Sequence, residues 1–290
     1  MQSAVKFWIL WSAFLSGAGW VLSSLHQLNR VGYLCVFVLG AAAWCWRKIA
    51  ERAAGKTISN RPAPRSDWLR VLRSRFRRPA PLLFLMTALL AFAGGAIYEQ
   101  LNIDTLCYRL PRVLHWLAEG KWHWIRTSDE RMNVAGCGLE WLTAPLLLFT
   151  RSDRLVFLIN WVSYLLLPGL MFSVFTRVGV PGRVAWWWMW IISSGWCYAL
   201  QAGSVLNDAF IVIYALAAVD FALRAWQSQR VSDAWLSILA AALLTGAKQT
   251  AFRWRCCGSS PSGPRKGCWR SGRFGVQPWS ALACLSQRCP

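Results

Sequence analysis

The chain has 290 residues, 56% of them apolar, with 21 Trp and only 12 acidic residues, whereas an average soluble domain carries roughly 25% charged residues. The formal net charge of +20 raises nucleic acid as a partner, but no aromatic-basic binding module or helix-turn-helix pattern accompanies that charge, so nucleic acid is set aside. The composition is that of a membrane protein.

Seven apolar runs approach the roughly 20 residues that a transmembrane helix needs. They cover residues 4–22, 31–46, 81–98, 155–175, 184–200, 209–226 and 234–246. The predicted fold class is all-α, a polytopic transmembrane helix bundle of about seven spans. The first run carries Lys6 near its start, lacks a small-residue cleavage site and is closely followed by a second, so residues 1–46 read as two retained spans and not as a removed signal peptide. Residues 47–79 form a basic loop: between Arg47 and Arg78 there are 11 Lys/Arg against two acids, Glu51 and Asp67. Such a loop is expected to be cytoplasmic, which places the N-terminus in the cytoplasm too and delivers the loop after the third run to the opposite face.

That loop, residues 99–138, opens "NIDTLCYRLPRV". It is long for a connection, and its composition is not low-complexity. Trp116, Trp122 and Trp124 alternate with Arg109, Arg112, Lys121, Arg126 and Arg131. Apolar residues at helical spacing predict a surface helix over residues 108–119, with Trp116 near the membrane interface and Pro111 tolerated in the first turn. Its arginines suit either an anionic lipid phosphate or a plain interfacial anchor. Asp104 fits two roles as well: a salt-bridging, helix-terminal carboxylate, or a group that orients or deprotonates a hydroxyl.

The segment "LEWLTAPLLLF" at 139–149 is 11 residues long, too short to cross easily, and is expected to be re-entrant or interfacial. With it excluded from the span count, the Arg177–Arg183 and Arg224–Arg230 connections fall on the cytoplasmic side. Asp208 in "QAGSVLND" then joins Asp104 outside, within reach of one shared cavity. Cys35, Cys45, Cys107, Cys137 and Cys197 read as packing residues. Five more Cys lie in the last 38 residues with no His nearby and no C-x-x-C pair, so no metal site is expected there.

"NIDTLCYRLPRVLHWLAEGKW", "GLEWLTAPLLLF", "SDRLVFLINW", "QAGSVLNDAF" and "LLTGAKQTAF", in that order, resemble the N-terminal half of the polytopic GT-C glycosyltransferases. The family 39 type is the nearest, similar to protein O-mannosyltransferases and the aminoarabinose transferase of lipid A. The resemblance covers about residues 80–252. Asp104, Tyr108, Leu110, Pro111 and Arg112 match the family's loop pattern, while Arg109 stands where His is usual, and the two spans before Pro81 precede the usual family start.

The resemblance implies an integral plasma (inner) membrane enzyme that transfers a sugar from a polyprenyl-phosphate donor to an acceptor on the non-cytoplasmic face. It implies catalytic places for Asp104 and Asp208, acting as base or through a divalent metal, and donor-binding places for Tyr108, Arg109, Arg112, Arg126, Arg131 and Lys248. For Lys248 a snorkelling lysine at a helix end is the equal alternative. Membrane lipids are the other expected partner. A transporter and a non-catalytic lipid-binding protein are the competing functions, but the chain shows no half-to-half repeat and few charges within its apolar runs.

From residue 253 the composition breaks. The final 38 residues hold seven Lys/Arg, no acid, five Cys and three Trp, with no periodicity. This is what a GC-rich gene yields when read out of frame, so a frameshift near codon 252 is expected, leaving a truncated transferase without activity and an unstructured tail.

Overall fold

The structure, a computed structural model, describes residues 2–53, 76, 78–99 and 102–248. Most of the basic loop at 47–79, and residues 253–290 with their expected break of frame, lie outside the described residues.

Among the described residues all regular structure is helical. The elements are α1 (Gln2–Ser24), α2 (Arg30–Ala53), α3 (Pro79–Ile97), a π-helical turn (Thr105–Arg109), α4 (Leu110–Glu119), α5 (Arg131–Val134), α6 (Gly138–Thr150), α7 (Leu158–Arg177), α8 (Gly182–Ser193), α9 (Trp196–Ala202), α10 (Asp208–Ser228) and α11 (Val231–Ala247). Five of them, α1, α2, α3, α7 and α10, are long and apolar enough to cross a membrane. The run expected at 184–200 is broken: Gly195 has an extended backbone with ψ of 145°, which ends α8 and starts α9. Gly203, at the foot of α9, lies so close to α3 that a Cβ there would fall 2.5 Å from the Ala91 carbonyl oxygen. Small residues permit such backbone approach between apolar helices, where packing rather than water exclusion holds helices together.

The buried stripe of α1 runs through Val5, Ile9, Ser12, Leu15, Gly19 and Leu22, a helical spacing that turns one face inward. The opposite face exposes Phe7, Leu10, Trp20 and Val21. On α2 only Gly32 and Tyr33 are buried, while Leu34, Val38, Leu39 and Trp44 face outward. Outward apolar faces of this extent are what hydrocarbon, not water, tolerates. Cys35, Cys45, Cys107 and Cys197 also lie exposed and only Cys137 is half-buried, so the packing role expected for them does not hold.

Side-chain pairing sorts the helix ends into two groups. At one end Lys6 of α1 reaches Asp233 of α11 at 3.1 Å, and Arg177 of α7 and Arg224 of α10 share Asp220. At the other end the Ser23 hydroxyl accepts from the Trp122 N–H at 2.7 Å, Asn160 donates to the Ser204 and Leu206 carbonyls, and Asn207 donates to the Ala247 carbonyl. Helix α6 has its first residue against Ala247, and its Leu148 carbonyl accepts from Arg30 at the head of α2 at 2.7 Å. Phe157, just beyond it, packs on Gly95 near the end of α3. The 13-residue α6 therefore begins and ends with the same group of helix ends.

Candidate functional site

The loop after α3 is folded onto the bundle. The Leu28 N–H donates to the Gly120 carbonyl at 2.9 Å, and Gly120 takes φ of 69° to end α4, a left-handed conformation that glycine adopts without a Cβ penalty. The expected helix over 108–119 is present as a π-turn followed by α4, with Leu114 exposed on its outer face, but Trp116 does not face outward. Trp116 is 1% exposed and stacks on Trp141 of α6 at 5.1 Å. The tertiary contact with α6 wins because it removes the whole indole from the surface, which an interfacial position does only in part.

The same contact decides the fate of two arginines. Arg109 and Arg112 are three residues apart on one helical face and both are buried, at 5% and 1% exposure. Glu140 of α6, also 1% exposed, meets both: Arg109 Nη1 at 3.3 Å and Arg112 Nη2 closer still. Arg112 further donates to the carbonyls of Ala135 and Gly136 at 2.8 and 2.6 Å. Arg112 is thus committed to holding the loop and does not line the cavity described next, contrary to its expected place among donor-binding groups. Glu140 is not among the residues expected from sequence at the site. The signal was present: a lone carboxylate within an apolar segment needs a cation, and Arg109 and Arg112 at helical spacing supply two.

A cavity of about 390 Å³ opens where the loop meets the helix ends. Asp104, Tyr108, Arg109, Arg131, Asp208 and Lys248 all line it. Asp104 precedes the π-turn, a rare element often found at functional sites. Its carboxylate accepts from Arg131 Nη1 at 3.1 Å, and its side chain is 42% exposed. Arg131 opens the short helix α5, is held by Asp129 at 2.8 Å, and lies 5.0 Å over the Tyr108 ring. The Arg109 and Arg112 guanidinium groups also face that ring, at 5.1 and 5.8 Å. Burial raises the Tyr108 phenol above its ordinary pKa, with Arg109 acting against it. The Asp129 carboxyl is lowered, chiefly by its hydrogen bond to Arg131.

On the facing wall Asp208 begins α10, where a carboxylate suits the partial positive charge of the helix N-terminus. Lys248 reaches it at 2.8 Å from the end of α11, and Gln201 donates to its other oxygen at 3.3 Å. Gln201 also accepts from the Ala209 N–H at 2.8 Å, tying α9 to the head of α10. The two walls are joined at Gly136, where a Cβ would stand 2.7 Å from the Gly246 carbonyl oxygen. Of the expected site residues, Arg126 alone is exposed away from both the cavity and the buried Glu140 cluster.

The donor set does not suit a divalent metal. Asp104 and Asp208 each hold a cationic side chain, and among the described residues no group of three His, Cys, Asp or Glu side chains converges. What the cavity offers instead is two accessible carboxylates, each beside a cation, with a buried phenol in the same lining. No family model, curated protein or solved structure matches the chain.

Proposed function

We propose that the chain is a polytopic membrane glycosyltransferase of the GT-C kind, transferring a sugar from a polyprenyl-phosphate donor to an acceptor hydroxyl at the non-cytoplasmic face. The observation that carries this reading is the convergence of Asp104 and Asp208, about a hundred residues apart in sequence, on one cavity together with Arg109, Arg131 and Lys248. In this reading the broken α8–α9 pair and the 17-residue α11 cross as well, which with the five longer helices makes seven. The end carrying Arg177 and Arg224 is cytoplasmic in this reading, as the positive-inside bias favours.

In the transfer, Asp104 takes the proton of the acceptor hydroxyl as that oxygen bonds to the anomeric carbon. The bond between that carbon and the phosphate oxygen breaks, and polyprenyl phosphate leaves with the electron pair. Arg131, Arg109 and Lys248 surround the space where the leaving phosphate gathers charge, and such pre-placed cations stabilise charge that develops in the transition state. Asp208 holds Lys248 in position.

The test is turnover of a polyprenyl-phosphate-linked sugar in proteoliposomes by a complete homologous enzyme that carries the same site, because the frameshift expected near codon 252 leaves this chain without activity, with donor binding measured alongside. Asp104→Asn keeps the shape and removes the base, and should lower turnover about 100-fold or more while donor binding stays. Near-normal turnover by this variant would return Asp104 to a structural role, and failure of the parent to bind the donor would defeat the reading as a whole.

A further inference from the structure

A cavity of about 680 Å³ opens at the other end of the bundle, away from the proposed transfer site. Three arginines line it, Arg78, Arg177 and Arg224, against one carboxylate, Asp220, so the wall carries an excess of two positive charges. Asp220 is 2% exposed and fully engaged: it receives Arg224 Nε at 2.6 Å, Arg177 Nε at 3.1 Å and the Ser173 hydroxyl at 2.6 Å. The arginines are not. Arg177 spends two of its five N–H donors, on Asp220 and Gln227, and the Arg78 guanidinium makes no hydrogen bond to another described residue while lying 5.0 Å over the Trp186 ring. A carboxylate that fixes two guanidinium groups while a third makes no ion pair among the described residues leaves a preorganised anion site whose charge is not balanced among those residues.

Beside these cations and a few polar groups such as Gln2 and Thr176, the wall has an apolar part made of Leu170, Phe172, Trp186 and Met189. It continues past Trp186 into a neighbouring cleft that shares Arg78, Phe172 and Trp186. A small inorganic anion has no use for that surface, whereas a lipid with a phosphate head and hydrocarbon tails uses both parts. Arg47, Lys48 and Arg52 at the end of α2 lie off the cavity, the first two paired with Glu51, and favour anionic over zwitterionic lipid only through surface potential.

We propose that this cavity binds one anionic phospholipid, with Arg78 and Arg177 donating to its phosphate and its acyl chains lying against Trp186 and Phe172. The site is separate from the sugar-transfer cavity and stands whether or not that activity is found.

The full chain, purified in mild detergent with phosphatidylglycerol and phosphatidylcholine in equal amounts, would be examined by intact-complex mass spectrometry. One phosphatidylglycerol per chain should be retained in preference to phosphatidylcholine. Arg78→Gln should lower that retention about tenfold, the loss of one charge-assisted contact, and Trp186→Ala should lower it without any change of charge. Arg78 lies outside the Asp220 network, so its replacement leaves the fold in place. Arg47→Gln makes the same charge change on the same end but off the cavity, and should leave retention within about twofold, as expected of a contribution from surface potential alone. Equal retention of the two lipids, an equal loss in Arg47→Gln, or release of phosphatidylglycerol by millimolar inorganic phosphate would each overturn the proposal.

Discussion

Replacing Glu140 by Gln keeps the side chain's shape and removes the carboxylate shared by Arg109 and Arg112. All three groups are at most 5% exposed, so the two guanidinium groups would be left buried without a counter-charge. Breaking a buried pair by removing one partner costs about 3–5 kcal/mol. Arg112 keeps its bonds to the Ala135 and Gly136 carbonyls at 2.8 and 2.6 Å, which favours the lower end. A loss of about 3 kcal/mol corresponds to a fall in melting temperature of roughly 6–12 °C for a chain of this size. Thermal unfolding in detergent, followed by intrinsic fluorescence, reads the global effect, and protease access between residues 105 and 137 in intact membranes reads the local one. Adding Arg109→Gln to Glu140→Gln removes one of the two stranded charges and should recover about 1 kcal/mol or more, a coupling that separate sites do not show. A Glu140→Gln protein within about 0.5 kcal/mol of the parent, or strictly additive effects in the double variant, would refute the role given to this cluster.

Gly136→Ala sets a Cβ 2.7 Å from the Gly246 carbonyl oxygen, a backbone contact that cannot swing away, and should cost about 1–3 kcal/mol in thermal unfolding while weakening donor binding by parting the two walls. Lys248→Met removes a pair whose side chains are both 47% exposed, so stability should change by less than about 1 kcal/mol while donor affinity falls about tenfold; a stability loss equal to the binding loss would count against a ligand-facing lysine. For Tyr108 the folded pKa is raised, so its contribution to stability is complete below the unfolded phenol's value and is lost as pH rises through the higher folded one. In a phenolate absorbance titration Tyr108 should therefore ionise later than free tyrosine, and Tyr108→Phe should remove that late component.

The helical class was legible because it rests on composition and short-range period. Apolar runs of nearly span length can satisfy their backbone only as helices, and the residues at 2–24, 30–53, 79–97, 158–177 and 208–228 follow those runs closely. The shortness of 139–149 was legible for the same reason, and it appears as a helix that stays with one group of helix ends. The break in the run at 184–200 was not, since it falls at Ser193, Ser194 and Gly195, small residues that permit a turn without requiring one. Residue chemistry singled out Asp104 and the loop arginines with two roles open for each, the expected topology added Asp208, and Tyr108 and Lys248 entered only through the family resemblance. Which arginines are free was decided only by tertiary packing. Arg109, Arg112, Arg126 and Arg131 look equivalent in sequence, yet one carboxylate on α6 draws the first two into the interior, Asp104 and Asp129 hold the last at the cavity, and Arg126 is left outside. The reason is physical: a guanidinium group takes the partner that burial brings within hydrogen-bond reach, and burial is set by helices distant in sequence, whereas helix formation and membrane affinity are set within a few turns of one chain segment.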